Sequence, residues 1–118
     1  MPKKNRLSRA DLNAIRHQKQ FRVHGELFSL VVAPHPTPRK TSVAFVVSKK
    51  VSSRAVTRNE IKRRSREIVR TALTAVKEPA AFVFHAKREA ASASFDHMKK
   101  DITTLFERAR MRGTMPKI

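Results

Sequence analysis

The sequence predicts an α+β fold: a two-layer α/β sandwich, with helices packed on a mixed four-stranded sheet in the order α-β-β-β-α-β-α. Two observations predict it. Four short runs, Phe21–Val23, Leu27–Ala33, Thr41–Val47 and Ala81–Ala86, are β-branched, aromatic or alternating, and segments with helical apolar spacing lie between and around them. In addition, the third strand, the long helix and the fourth strand form a β-α-β unit, whose two strands are parallel if they share a sheet.

In chain order, Ser8-Arg9-Ala10-Asp11 has the spacing of a capping box with Ser8 as N-cap. It opens a short helix that carries Leu12 and Ile15 and runs to about His17. Phe21 and Val23 alternate with polar residues as a strand does, and Gly25-Glu26 turns the chain into the second strand. Pro34, Pro36 and Pro38 recur at every second position and make a loop, because proline has no N–H to give to a ladder. The run Thr41–Val47 is expected nearer the centre of the sheet than the first strand. Ser53 and Thr57 are both N-cap candidates for the long helix; Thr57-Arg58-Asn59-Glu60 completes a capping box and favours Thr57. That helix continues to about Lys77, where Glu78-Pro79 ends it. Ser92 or Ser94 opens the last helix, in which Phe95, Met98, Ile102, Leu105, Phe106 and Ala109 share one face as core. With no repeat and no low-complexity tract, residues 1–118 read as one domain with a basic N-terminal arm (1–7) and a basic tail (111–118).

Charge narrows the function. There are 27 Lys+Arg against 9 Asp+Glu, a net charge of +18. Self-repulsion on that scale calls for a polyanionic partner, nucleic acid first and an anionic membrane second. No apolar run is long enough to span a bilayer, and no signal-peptide core follows the basic N-terminus, so the cytoplasm is the expected location. The absence of Cys excludes disulfides, thiol catalysis and cysteine-based zinc sites. His17, His24, His35, His85 and His97 lie in five separate elements with no metal-binding spacing. They read as structural residues in preference to a two-histidine ribonuclease, so no catalytic residue and no metal ligand is assigned. Only Gly25 and Gly113 occur, which rules out a glycine-rich phosphate loop.

The basic residues are arranged. From Lys49 to Arg70 there are nine cations and two carboxylates, a net of +7. On a helical wheel Ile61, Ser65, Ile68, Val69, Ala72, Leu73 and Val76 form one stripe. Asn59, Lys62, Arg63, Arg66 and Arg70 form an adjoining flank, and Glu60, Arg64 and Glu67 take the remaining face. The plain reading is a solvated helix with i,i+4 pairs at Glu60–Arg64 and Arg63–Glu67, each worth a few tenths of a kcal/mol. That leaves Lys62, Arg66 and Arg70 without a partner on the helix, the footprint of phosphate contacts, and Lys49, Lys50 and Arg54 widen it. A helix-turn-helix or basic-zipper reading fails for want of a second short helix or a heptad seam. Cations around an open sheet face are the more usual RNA arrangement.

The run from Val47 to Arg64, VSKKVSSRAVTRNEIKRR, resembles the signature of the bacterial ribonuclease P protein subunit: an apolar strand, Ser-Lys-Lys, a short loop, Ala-Val, then an Arg-Asn-Arg helix. Asn5-Arg6-Leu7, Asp11-Leu12 and the stretch Lys99–Phe106 extend the resemblance over nearly the whole chain. It implies a left-handed β-α-β crossover in a ribosomal protein S5 domain 2-like fold, against the usual right-handed rule. It also implies a cofactor of a catalytic RNA that removes the 5′ leader of precursor tRNA, with magnesium bound mainly by the RNA, no membrane association and no protein partner required. Carried over, Arg58, Asn59, Lys62, Arg63 and Arg66 are expected to bind the RNA subunit, and the charge pattern adds Arg54 and Arg70. Leu12, Arg16, Phe28, Val31, Ser48, Lys49, Lys50, Lys87 and Arg88 are expected along the leader path.

Glu60 stands where the family usually has Arg, and Leu12, Arg16 and Val31 stand where it commonly places aromatics. Lost rings remove stacking worth ~1–3 kcal/mol per base, so charge is expected to take a larger share of leader binding. The competing class is a ribosomal or other structural RNA-binding protein with no reaction attached. Reconstitution with one specific RNA separates the two.

Overall fold

The computed structural model describes residues 7–16, 20–34, 41–73 and 80–111, without the side chains of Arg16, Arg110 and Met111. Its elements are α1 (Arg9–Arg16), β1 (Phe21–His24), β2 (Phe28–Ala33), β3 (Ser42–Val46), α2 (Ala55–Ala72), β4 (Ala81–Ala86) and α3 (Phe95–Met111). A 3-10 turn over Arg88–Ser92, which the sequence reading lacked, joins β4 to α3. The N-terminal arm beyond Leu7, the ends of the first two helices at His17 and Lys77, the prolines at 36 and 38, and the tail from 112 onward lie outside the described residues.

The four strands form one mixed sheet in the order β1-β2-β4-β3. β1 pairs antiparallel with β2 and β2 with β4, while β3 and β4 run parallel as the crossover requires. The expectation that the third strand is more central than the first is corrected: β3 and β1 are the two edges, and β4 is inserted between β2 and β3. In β3 Ser42 and Val43 are buried, Ala44 and Phe45 half-buried and Val46 exposed. An apolar, β-branched run reports a strand but not the missing neighbour on one edge.

Alternation along the strands separates two faces. Phe28, Leu30, Val32, Val43, Phe82 and Phe84 face α2 and α3 and build the main core with Ile61, Val69, Met98, Ile102 and Leu105. Phe84 is central: Phe28 and Phe106 meet it edge-on at 6.3 and 5.4 Å, and Phe45 stacks on it at 5.4 Å. On the opposite face α1 is seated by Ile15 and Leu7 against Ala33 and Ala81. Small residues at these sheet positions let the short helix lie close.

The helix starts follow local hydrogen bonding. Ser8 Oγ accepts from Asp11 N–H at 3.1 Å and Asp11 accepts from Ser8 N–H at 3.3 Å, the reciprocal box the spacing predicts. Ser94 caps α3 by accepting from His97 N–H at 3.1 Å. Thr57 does not cap α2. That helix begins two residues earlier at Ala55, with Arg54 in the extended N-cap position and no side-chain cap. Glu60 is drawn instead to arginines one turn on, a stronger charge-assisted partner than a backbone N–H. Phe95 also departs from the core face: at the first turn of α3 it is 36% exposed, whereas Met98, Ile102, Leu105 and Ala109 are buried.

Candidate nucleic-acid interface

The candidate surface begins with the register of α2. Burial of Ile61, Ser65, Ile68 and Val69 against the sheet rotates Lys62 and Arg66 to the margin of the core, half-buried, and leaves Asn59, Arg63 and Arg70 exposed. Before the helix, Arg54 N–H donates to Ser52 Oγ at 3.2 Å and the Arg58 guanidinium donates to the Ser52 carbonyl at 2.9 Å. Arg58 therefore closes the loop that carries Lys49 and Lys50 onto the helix, with its remaining N–H groups left for another acceptor.

Glu60 divides the cations of α2. Its carboxylate accepts from Arg63 at 2.5 and 3.2 Å and from Arg64 at 3.0 Å, while Glu67 lies 3.8 Å from Arg63. The Arg63 hydrogen bond, followed by that of Arg64, pulls the Glu60 carboxyl from the ordinary 4.5 to about 2. Arg63 and Arg64 are thus already engaged. Among the described residues no carboxylate pairs with Lys62, Arg66 or Arg70.

Lys62 and Arg66 line a groove of about 200 Å³ with Leu7, Leu12, Val43, Ala44 and Phe45. It runs along the outer edge of β3, with α1 on one side and α2 on the other. Leu12, a leader candidate, lines this groove beside the α2 cations.

The other leader candidates divide. Ser48, Lys49 and Lys50 follow β3, and Lys87 and Arg88 follow β4; because these strands are parallel, all five lie at one end of the sheet. All but Lys87 are exposed. The Lys87 ammonium donates to the Gly25 carbonyl at 2.6 Å, and its backbone N–H donates to the Leu27 carbonyl at 2.8 Å. Lys87 therefore fastens the β1–β2 turn. Val31 lies on the α1 face, in register with Arg22 and Val83 and 4% exposed. Phe28 does not join this group: it is 1% exposed on the opposite face, against Phe84. The side chain of Arg16 lies outside the described residues.

The structure adds a polar row that sequence reasoning missed. His24, Ser29, His85 and Val46 are neighbours in register across all four strands, and His24 Nδ1 lies 3.0 Å from Ser29 Oγ. Burial, reinforced by the positive charge of Arg22, pushes the His85 pKa down. Only the strand register collects these residues, and no spacing in the sequence carries it. Among the described residues no group of three or more His, Asp or Glu side chains is placed to hold a metal.

The fold and charge layout define a small basic α+β protein with a cationic helix flank, free of carboxylate partners among the described residues, beside an open groove. The family profile described as Ribonuclease P matches residues 1–110, and the chain belongs to that family. A ribonuclease P protein component from a Pseudanabaena species is 32% identical over 111 residues, covering 94% of this chain and 96% of that one. Its counterpart from a Picosynechococcus species is 31% identical over 113 residues, covering 94% and 95%. Among solved structures, the Staphylococcus aureus RNase P protein superposes with a TM-score of 0.78 at 22% identity, covering 92% of this chain and 97% of its own. The Thermotoga maritima RNase P protein superposes with a TM-score of 0.74 at 21% identity, covering 87% and 96%. These two likenesses establish the shared fold.

Proposed function

We propose that this chain is the protein subunit of a ribonucleoprotein that removes the 5′ leader of precursor tRNA, with the chemistry carried by the RNA. The observation that carries the reading is the segregation of charge on α2: among the described residues Lys62, Arg66 and Arg70 have no carboxylate partner along one flank, while Glu60 occupies Arg63 and Arg64. Unpaired cations in a row bind phosphates and release counterions. Three carboxylates are held in structural roles: Asp101 by three backbone N–H groups, Glu26 by His97, and Glu60 by two arginines. In this reading the catalytic metal belongs to the RNA, where bound ions would activate water and stabilise the leaving oxygen.

In this reading α2 docks on the catalytic RNA through Lys62, Arg66, Arg70, Asn59 and Arg58. The leader passes the sheet end that carries Ser48, Lys49, Lys50 and Arg88. Charge dominates leader binding, since Leu12 and Val31 offer no ring for a base.

The test is reconstitution. Purified chain is mixed with its ribonuclease P RNA, magnesium and precursor tRNA at low salt, where the chain is expected to stimulate cleavage at the mature 5′ end and to be inactive without the RNA. Cleavage by rigorously RNA-free protein overturns the assignment of the chemistry. Failure to stimulate, with tight binding to unrelated structured RNAs, favours a structural RNA-binding role.

A further inference from the structure

Leu7, Leu12, Lys62 and Arg66 frame an unusual floor. Three consecutive residues of β3, Val43, Ala44 and Phe45, line the same groove. Consecutive side chains of a strand point to opposite faces, so all three can contribute together only along the strand edge. The polarity of that edge follows from the ladder. Ser42 N–H donates inward to the Ala80 carbonyl at 3.2 Å, and the Val43 carbonyl points outward, where it accepts from Leu7 N–H at 3.2 Å. Alternation then turns the N–H and C=O of Ala44 and Val46 toward β4 and those of Phe45 into the groove. Neither backbone group of Phe45 has a hydrogen-bond partner among the described residues.

We propose that the β3 edge is a slot for one unpaired nucleotide, whose Watson–Crick edge pairs with the Phe45 N–H and C=O and whose phosphate is held by Lys62 and Arg66. This rests on the RNA-binding reading of α2 and deepens it. An adjacent donor and acceptor match the complementary pair that any of the four bases presents, so the slot selects for an unpaired base and not for its identity. A base entering in the plane of the sheet has aliphatic Leu7 and Leu12 on one face. On the other it has the Arg66 guanidinium, a planar cation that stacks on bases. Charge selects the occupant. An open strand edge also invites a β-strand from another protein, but two unpaired cations at its wall favour a polyanion.

The experiment uses the full chain, isotopically labelled, with Phe45 amide shift and hydrogen exchange as the readout. Short oligouridylate and oligoadenylate are titrated in comparison with a blunt RNA duplex. Both single strands are expected to shift and protect the Phe45 amide, leaving the doubly paired Leu30 amide unchanged; the duplex should shift α2 alone. A Lys62→Ala/Arg66→Ala double variant should bind the single strands about tenfold more weakly at low salt. Single strands that bind α2 while the Phe45 amide stays unprotected overturn the slot but leave the RNA-binding reading standing. Absence of any RNA binding overturns both. Protection of Phe45 by an extended peptide but not by RNA reassigns the edge to a protein partner and overturns the slot.

Discussion

The carboxylate of Asp101 lies where a side chain on Gly25 would begin. A Cβ at Gly25 would sit 2.7 and 2.8 Å from its two oxygens and 3.0 Å from the Phe28 carbonyl. Asp101 cannot withdraw, because it accepts from the N–H groups of Glu26, Leu27 and Phe28 at 2.9, 3.0 and 3.1 Å. With Lys87 bound to the Gly25 carbonyl, the β1–β2 turn is clamped by α3 from one side and by the end of β4 from the other.

Gly25→Ala is therefore expected to destabilise the fold by about 2 kcal/mol through overpacking. Asp101→Ala should cost about 3 kcal/mol, since it strands buried N–H groups that now donate to a charged acceptor. Denaturant unfolding of both variants checks this; a loss below about 0.5 kcal/mol for Asp101→Ala, the scale of an ordinary surface change, would show the clamp to be dispensable.

Ser65 makes the opposite case. It is fully buried under α2, and its Oγ has no partner among the described residues. Ser65→Ala removes an unsatisfied hydroxyl and raises helix propensity, so it should stabilise by about 1 kcal/mol. Thermal unfolding should show a higher midpoint for the variant; a lower one would contradict the assignment.

Glu60 predicts both a titration and a binding effect. Its folded pKa is depressed from 4.5 to about 2, so its contribution is complete above 4.5 and lost as pH falls through about 2. The group is exposed, and the stability at stake is small. A carboxyl-detected NMR titration should find the midpoint near 2 in the native chain and higher in Arg63→Ala. Glu60→Gln releases Arg63 and Arg64, so RNA affinity at low salt should rise. The log–log salt slope should steepen by roughly 0.7 for each single-strand phosphate gained. An unchanged slope would mean that neither arginine reaches a phosphate.

Arg66→Ala should impair reconstituted precursor-tRNA cleavage at limiting protein more than Arg64→Ala. Arg66 lines the groove with no carboxylate partner among the described residues, whereas Arg64 is bound to Glu60 at 3.0 Å. Equal defects would count against the division of charge on α2.

Much of this protein could be read locally. Element order, the Ser8 box and the two charge classes of α2 depend on contacts within a few residues, which spacing reports directly. The segment Phe28–Ala33 shows where that ends. Every residue of β2 is buried, so no polar alternation tells which face Phe28 takes, and only packing against Phe84 places it away from the groove.

By itself, then, the sequence determined the strands and helices, the parallel crossover and the unpaired cationic flank, because each follows from short-range periodicity and chain connectivity. The tertiary structure alone decided that β4 separates β2 from β3, which leaves β3 as an edge. It also decided that Leu12, Lys62 and Arg66 line one groove at that edge, and that His24, Ser29 and His85 align in one row. These are pairings between segments far apart in the chain, and they are settled by how apolar faces bury one another.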